Sequence, residues 1–305
     1  YGFDMFDEVQ RYASKVVSQV ESLDFDVIHA HDWMTVPAAI ALSKLSGKPF
    51  VFHVHSLEYD RSGSNVNQEI FEIERQGVHE ADLVIAVSYY TKSIIQQCFS
   101  VGDEKIAVVH NGVYDRRRRS FDRPAELKDK KVVLFLGRVT FQKGPDYFVE
   151  AAAKVVARVP NALFVLAGSG DMLDRLVHRT SELGISQHFM FPGFLRGIEV
   201  EQMYSAADLY VMPSVSEPFG IAPLEAIRYE TPVIISKQSG VSEVLRHALK
   251  VDFWDIDKMA DLMVNVLLYE ELQQDMNSMA KQEIRTLRWD FSASKVLDCY
   301  RSLQF

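Results

Sequence analysis

Short β-rich runs alternate with helical runs along almost the whole chain, and this alternation limits the fold more than any other feature of the sequence. Residues 25–30 (F-D-V-I-H-A), 49–55, 82–87 and 105–109 read as strands, with helical patterns at 36–45, 66–80 and 89–99 between them. A helix precedes them at 5–20, where Phe6, Val9, Ala13, Val16, Val17 and Val20 fall at helical spacing. A second series follows. Its strands are at 132–136, 162–167, 188–191, 209–212, 232–235 and 248–251; its helices are at 145–159, 172–183, 199–206 and 241–245, and the remainder from residue 255 is helical. Strands that alternate with helices build parallel sheets with both faces covered, so the predicted class is α/β. A chain of 305 residues exceeds the usual size of one core, and two domains are expected.

Residues 115–130 break the pattern. They hold four arginines at 116–119, then a proline and mixed charge with little apolar content. Such a stretch reads as an interdomain linker with a solvated face rather than a polyanion patch. The expected division is a first domain at 1–114, a linker at 115–130, a second domain at 131–287 and a last segment at 288–305. A net charge of −9 argues against nonspecific nucleic-acid binding. No apolar run approaches the roughly 18–20 residues that a membrane-spanning helix needs. Two cysteines, Cys98 and Cys299, suggest a reducing, cytoplasmic setting without a disulfide framework, and both read as small core hydrophobes. The chain opens on Tyr1, directly in a helical pattern, as the middle of a longer protein would.

The chemistry concentrates in residues 214–230, S-V-S-E-P-F-G-I-A-P-L-E-A-I-R-Y-E. Ser214, Ser216 and Pro218 favour a loop, and Gly220 permits backbone that other residues resist. A helix follows, with Pro223 in its first turn, where a missing N–H costs nothing. Amides around Phe219 to Ala222 then form an anion site. Glu217 and Glu225 bracket it. Acids beside phosphate make sense as acceptors for sugar hydroxyls, so one loop offers donors to phosphate and acceptors to sugars. A glutamate at a helix start is otherwise an ordinary partner of the helix dipole.

Upstream, G-R-V-T-F-Q-K-G at 137–144 follows a strand. Without a metal, Arg138 and Lys143 can neutralise the charge of a departing diphosphate, the arginine in fork geometry. Gly168 in G-S-G at 168–170 shapes the nucleotide pocket. His29 and His31 of H-A-H-D-W-M-T share one strand face, as do His53 and His55 in the next strand. Two histidines and Asp32 lack a third spaced ligand, and no metal is expected. Hydrogen-bonded or core histidines are the plainer reading.

The spacing E-P-F-G-I-x-x-x-E resembles the donor-binding signature of retaining glycosyltransferases of family 4 and of the related glycogen and starch synthases. The resemblance implies the GT-B arrangement, two Rossmann-like domains that face each other. It implies roles as well. Arg138 and Lys143 bind the donor diphosphate, with Gly137 beside them. Glu217 contacts hydroxyls of the transferred sugar, and Glu225 holds the ribose. The backbone of Phe219, Gly220 and Ile221 contacts phosphate and sugar. H-A-H-D-W also resembles the synthase segment whose histidine lies against the donor sugar, and His31 is that candidate. His55, Glu58 and Arg61 become acceptor-side candidates. His110-Asn111-Gly112-Val113 matches the turn into the linker. The last helix is expected to cross back to the first domain through Trp289 and Phe291, with Asp290 or Ser292 as its cap. Family members begin with a strand and a glycine-rich loop that do not occur before Phe25, so part of the first domain is expected to be missing, leaving an unpaired sheet edge.

The function so implied is transfer of a hexose, glucose by the synthase likeness, from a UDP- or ADP-sugar to a glycan hydroxyl with retention of configuration. The donor is substrate, and no cofactor is expected. Two other readings stand beside it: a nucleotide-sugar epimerase on the same fold, and a non-catalytic nucleotide-sugar-binding fragment.

Overall fold

The protein, described by a computed structural model, is defined at residues 5–20, 23–114 and 119–303. It divides into two compact units, Tyr1–Asn111 with Trp289–Phe305 and Gly112–Arg288.

In the first unit β1 (Ile28–His31), β2 (Phe50–Val54), β3 (Leu83–Ala86) and β4 (Ile106–Val108) form one parallel sheet in sequence order. Parallel strands buried on both faces read as continuous apolar runs, and every residue of β2 is buried. Phe50, Phe52, Val84, Ile95 and Phe99 anchor the core. The helix Trp289–Ser302 closes the other face. Val296, Cys299 and Tyr300 pack on Val51, Ile85 and Val109, and Ser292 Oγ donates to His110 O at 2.6 Å. Two expectations are corrected here. Ser292 is a packed helix residue, not a cap. Phe291 is 56% exposed. The inward face is set by residues 292, 296, 299 and 300 at helical spacing, and position 291 lies off it. Cys98 and Cys299 are half-buried free thiols against these two cores.

In the second unit β5 (Lys131–Leu136), β6 (Ala162–Ala167), β7 (Phe189–Gly193), β8 (Leu209–Met212), β9 (Val233–Ser236) and β10 (Leu249–Val251) form a six-stranded parallel sheet. The spatial order is β10-β9-β8-β5-β6-β7. The chain starts at the centre, winds outward one way through β7, then returns to β8 and winds the other way. This is the doubly wound order, whose switch point between β5 and β8 opens a crevice at the carboxyl ends of the strands. Helices Pro145–Val156 and Ile256–Leu268 pack together over one face through Phe148, Val155, Met259 and Met263.

Residues 119–130, which composition marks as linker, are held to this second unit. Arg123 makes a fork to Asp208 at 3.1 and 2.8 Å and donates to the carbonyls of Leu127 and Lys130. Asp208 in turn accepts from Val132 N at the start of β5. Of the arginine run, residues 116–118 lie outside the described residues, and Arg119 stands 4.0 Å from Glu201. The expected helix at 241–245 is a short 3₁₀ turn, Gly240–Glu243. Its first amides are tied to the central loop, Gly240 N donating to Glu217 O at 2.9 Å and Val241 N to Phe219 O at 2.7 Å.

Candidate functional site

A cleft of about 250 Å³ opens at the switch point of the second unit. Its walls are the loops that leave β5 and β8. Val215 N donates to Gln142 O at 2.9 Å and joins the two loops. Of the residues expected from sequence, Gly137, Lys143, Glu217, Gly220 and Ile221 line the cleft together. Lys143 Nζ lies 2.5 Å from Glu217 Oε2, and Ser214 Oγ donates to the same oxygen at 3.1 Å. Their side chains are 21% and 10% exposed, so the pair is shielded from bulk water. Glu217 is fixed through its backbone too, N donating to Gln238 O and O accepting from Gly240 N. Gly220 has φ +98°, and a Cβ there would meet Glu217 Cγ at 3.1 Å. Only glycine turns the chain there without crowding the carboxylate.

Four expected donor residues stand outside the lining. Arg138 is exposed and donates to Gln142 Oε1 at 2.9 Å. Phe219 is 2% exposed and belongs to the core beneath the loop. Glu225, on the seven-residue helix Ala222–Arg228, accepts from Tyr204 O–H at 3.2 Å, and burial raises its pKa. Gly168 supports the site from behind. Its N–H donates to Gly193 O at 2.8 Å, and a Cβ on it would fall 1.8 Å from Gly137 O. The β5 and β6 loops therefore meet backbone to backbone at this point. Sequence reading missed the apolar floor of the cleft, Phe135, Leu136, Tyr210 and Met212. The only signal available was their place at strand ends flanking the glycine and serine loops.

The first unit gathers a different set. β1 and β2 pair with His31 opposite His53, which stacks two histidines from each strand segment on one face. His31 Nδ1 lies 2.8 Å from His55 Nε2, and His29 Nε2 lies 3.2 Å from His53 Nδ1. His29 Nδ1 is hydrogen-bonded to the Tyr300 hydroxyl. Burial lowers all four pKa values, and neighbouring rings add to this for His29, His31 and His53; His29 falls to about 4 and His53 to about 2, while the Asp32 carboxylate opposes the shift at His31 and His55. Beside them Asp32 sits at φ 56°, ψ 171°, a backbone region that costs a residue with a Cβ about 1–3 kcal/mol. Its carboxylate accepts from His55 N at 2.8 Å and Ser56 N at 3.2 Å and so closes the end of β2.

Glu58 and Arg61 turn inward rather than toward a free surface. Glu58 is 3% exposed; its oxygens accept from Arg61 Nε at 3.1 Å and Ser62 Oγ at 2.6 Å. Arg61 also donates to Ser56 Oγ and to Glu74 Oε1. Glu74, which no sequence motif marks, is 1% exposed, and burial pushes its pKa up to about 8. Glu58, expected on the acceptor side, is thus held within this buried network.

No helix among the described residues is long and apolar enough to cross a membrane. Comparison with known proteins gives concordant matches. The family model described as "Glycosyl transferases group 1" matches residues 116–283, and that described as "Glycosyltransferase Family 4" matches residues 4–117. An uncharacterized glycosyltransferase of Methanocaldococcus jannaschii is 33% identical over 295 residues, covering 91% of this chain and 75% of that protein. A glycogen synthase of Mycobacterium tuberculosis is 31% identical over 229 residues, covering 72% of this chain and 54% of the synthase. Among solved structures, Anabaena Alr3699/HepE in complex with UDP and glucose superposes with a TM-score of 0.81 at 20% identity, covering 96% of this chain and 82% of that one. The two parallel-sheet α/β units thus match the GT-B glycosyltransferase fold.

Proposed function

The chain belongs to the group 1 glycosyl transferases, and on that premise we propose that it transfers a hexose from a nucleotide diphosphate sugar to a glycan hydroxyl with retention of configuration. The observation that carries this reading is the Lys143–Glu217 pair inside the cleft at the β5/β8 switch point. A cation and a carboxylate in one shielded cleft suit a substrate with an anionic end and a hydroxyl-bearing end. In this reading Lys143 exchanges its carboxylate partner for the donor diphosphate, and Arg138 swings from Gln142 to the same group. Glu217 and Ser214 take the sugar hydroxyls, Glu225 takes the ribose, and the Gly220–Ile221 backbone lies along the phosphates. His31 orients the sugar, and His55 holds His31. UDP-glucose is the first donor to test, since UDP and glucose occupy the HepE structure that this fold resembles; the glycogen synthase relative points to glucose and an α-glucan acceptor.

The reaction proposed is a front-face exchange. The bond between sugar C1 and the diphosphate oxygen breaks with its electron pair on the diphosphate. A bond from the acceptor oxygen to C1 forms on the same face, and the acceptor proton passes to the departing diphosphate. Lys143 and Arg138 stabilise the charge that develops there, which is where preorganised cations accelerate most. Product analysis after incubation with UDP-glucose and an α-glucan tests the proposal. Glucosylated acceptor and UDP are expected, and Lys143→Ala lowers turnover by about a hundredfold or more. An unchanged rate in that variant removes Lys143 from the mechanism. Altered free sugar with no acceptor consumed marks an epimerase instead, and donor binding without either product marks a binding fragment.

A further inference from the structure

The four-histidine face of the first unit does more than the proposed reaction asks of it. One orienting imidazole needs at most one partner, yet His29, His31 and His53 each bring a ring nitrogen to within 4.8 Å of the other two. The cluster is assembled by the parallel register of β1 and β2, which sets His31 opposite His53.

We propose that His29, His31 and His53 form a binding site for a late first-row divalent cation such as Zn2+. Three observations carry this. First, the nitrogens are already near ligand spacing. His29 Nε2 and His53 Nδ1 stand 3.2 Å apart, and two imidazole nitrogens on one tetrahedral zinc stand about 3.3 Å apart. The third nitrogen, on His31, lies within 4.8 Å of both. Second, the outer groups that metal-bound histidines use are in place. Nδ1–H of His29 can donate to the Tyr300 hydroxyl oxygen and Nδ1–H of His31 to His55 Nε2, so each of those two rings is held through Nδ1 and leaves Nε2 for a cation. Third, His53 is only 7% exposed, which shields that ligand from bulk water.

The donor set fits a borderline ion. Imidazole suits zinc, copper and nickel, and an all-nitrogen set without carboxylate disfavours magnesium and calcium. The site is open at its His31 edge, where that ring is exposed, and closed at His53. A three-histidine site with one open side leaves a fourth position for water or a substrate oxygen. Binding the cation would occupy His31, so the ion would compete with the sugar-orienting role given to that ring; this consequence alone rests on the proposed transferase reading.

The test is direct metal binding to the metal-free chain, read without any donor. Calorimetric titration with Zn2+ is expected to show one site per chain. Titration with Co2+ is expected to give visible ligand-field absorption of a low-coordinate nitrogen site. His53→Gln and His29→Gln should each weaken binding about tenfold or more. His29→Gln is read alongside because His53 is buried, and circular dichroism confirms that each variant is folded. His247→Gln, which touches only the exposed pair with Glu283, should leave binding unchanged. Absence of a Zn2+ site in the folded wild-type chain overturns the proposal, and so does a site of equal affinity in a folded His29→Gln variant. Neither result touches the donor cleft, so failure here and failure of the transferase reading remain separate.

Discussion

At the residue scale the two glutamates of residues 214–230 stand in different surroundings. Glu217 is ion-paired inside the cleft, whereas Glu225 stands outside its lining with Tyr204 as partner. If the first takes the sugar and the second the ribose, their substitutions separate. Glu225→Ala is expected to weaken UDP and UDP-glucose alike by about tenfold, the worth of one or two hydrogen bonds to a charged group. Glu217→Ala is expected to weaken UDP-glucose but not UDP, because free UDP carries no transferred sugar. Calorimetry on the four combinations checks this; equal losses for both ligands in both variants would dissolve the division of roles. The sequence made both glutamates legible through their spacing. It could not show that Lys143 and Glu217 are partners, since they lie in loops after different strands and meet only once the sheet has placed β5 beside β8.

At the element scale the site depends on how closely strand-end loops approach. Gly168 lets the loop after β6 touch the loop after β5, with Gly137 O where a Cβ would sit. Gly168→Ala is expected to push the loops apart, lower stability by about 1–3 kcal/mol and weaken UDP binding. Thermal melts with and without UDP measure both effects, and an unaltered melt would show that the loops yield without cost. Sequence reading gave Gly168 a part in shaping the nucleotide pocket; in the structure it lies outside the cleft lining and meets Gly137 backbone to backbone. The network that joins Glu58 and Arg61 to the remote Glu74 was not legible, because burial and a distant partner leave no local trace in sequence.

Glu74 also makes a pH prediction about its own helix, Gln68–Glu80. Its folded pKa is raised from 4.5 to about 8 by burial. The folded state therefore holds a proton that the unfolded chain has released at neutral pH. The stabilisation linked to that proton is fully present below pH 4.5 and is lost as pH rises through about 8. Oε2 of Glu74 has no hydrogen-bond partner among the described residues, whereas Oε1 accepts from Glu58 N and Arg61. Glu74→Gln removes the ionisable group and should flatten this decline. Urea unfolding of wild type and variant at pH 5 and pH 8 reads the difference. An identical pH dependence in the two proteins would place the proton elsewhere.

At the scale of the whole molecule the alternation of strands and helices foretold two parallel-sheet units, because the period of the pattern and the hand of the crossovers leave few alternatives. The return of the last helix, Trp289–Ser302, to the first unit was legible only through family resemblance. Its contact residues, Val296, Cys299 and Tyr300, follow from helical spacing once the face is known. The histidine cluster was half legible. Each strand shows its own pair, but the sequence does not print the register that stacks one pair on the other.

The proposed transfer depends first on the β5/β8 cleft of the second unit binding the diphosphate of a nucleotide-sugar donor through Lys143. Calorimetric titration of the chain with UDP, repeated on Lys143→Gln, tests it most directly, because glutamine keeps a hydrogen bond to Glu217 while removing the charge. One UDP site is expected in the wild type, with a loss of affinity of about tenfold or more in the variant, the scale of a charge-assisted contact to phosphate. Equal affinity in a folded Lys143→Gln variant would contradict it.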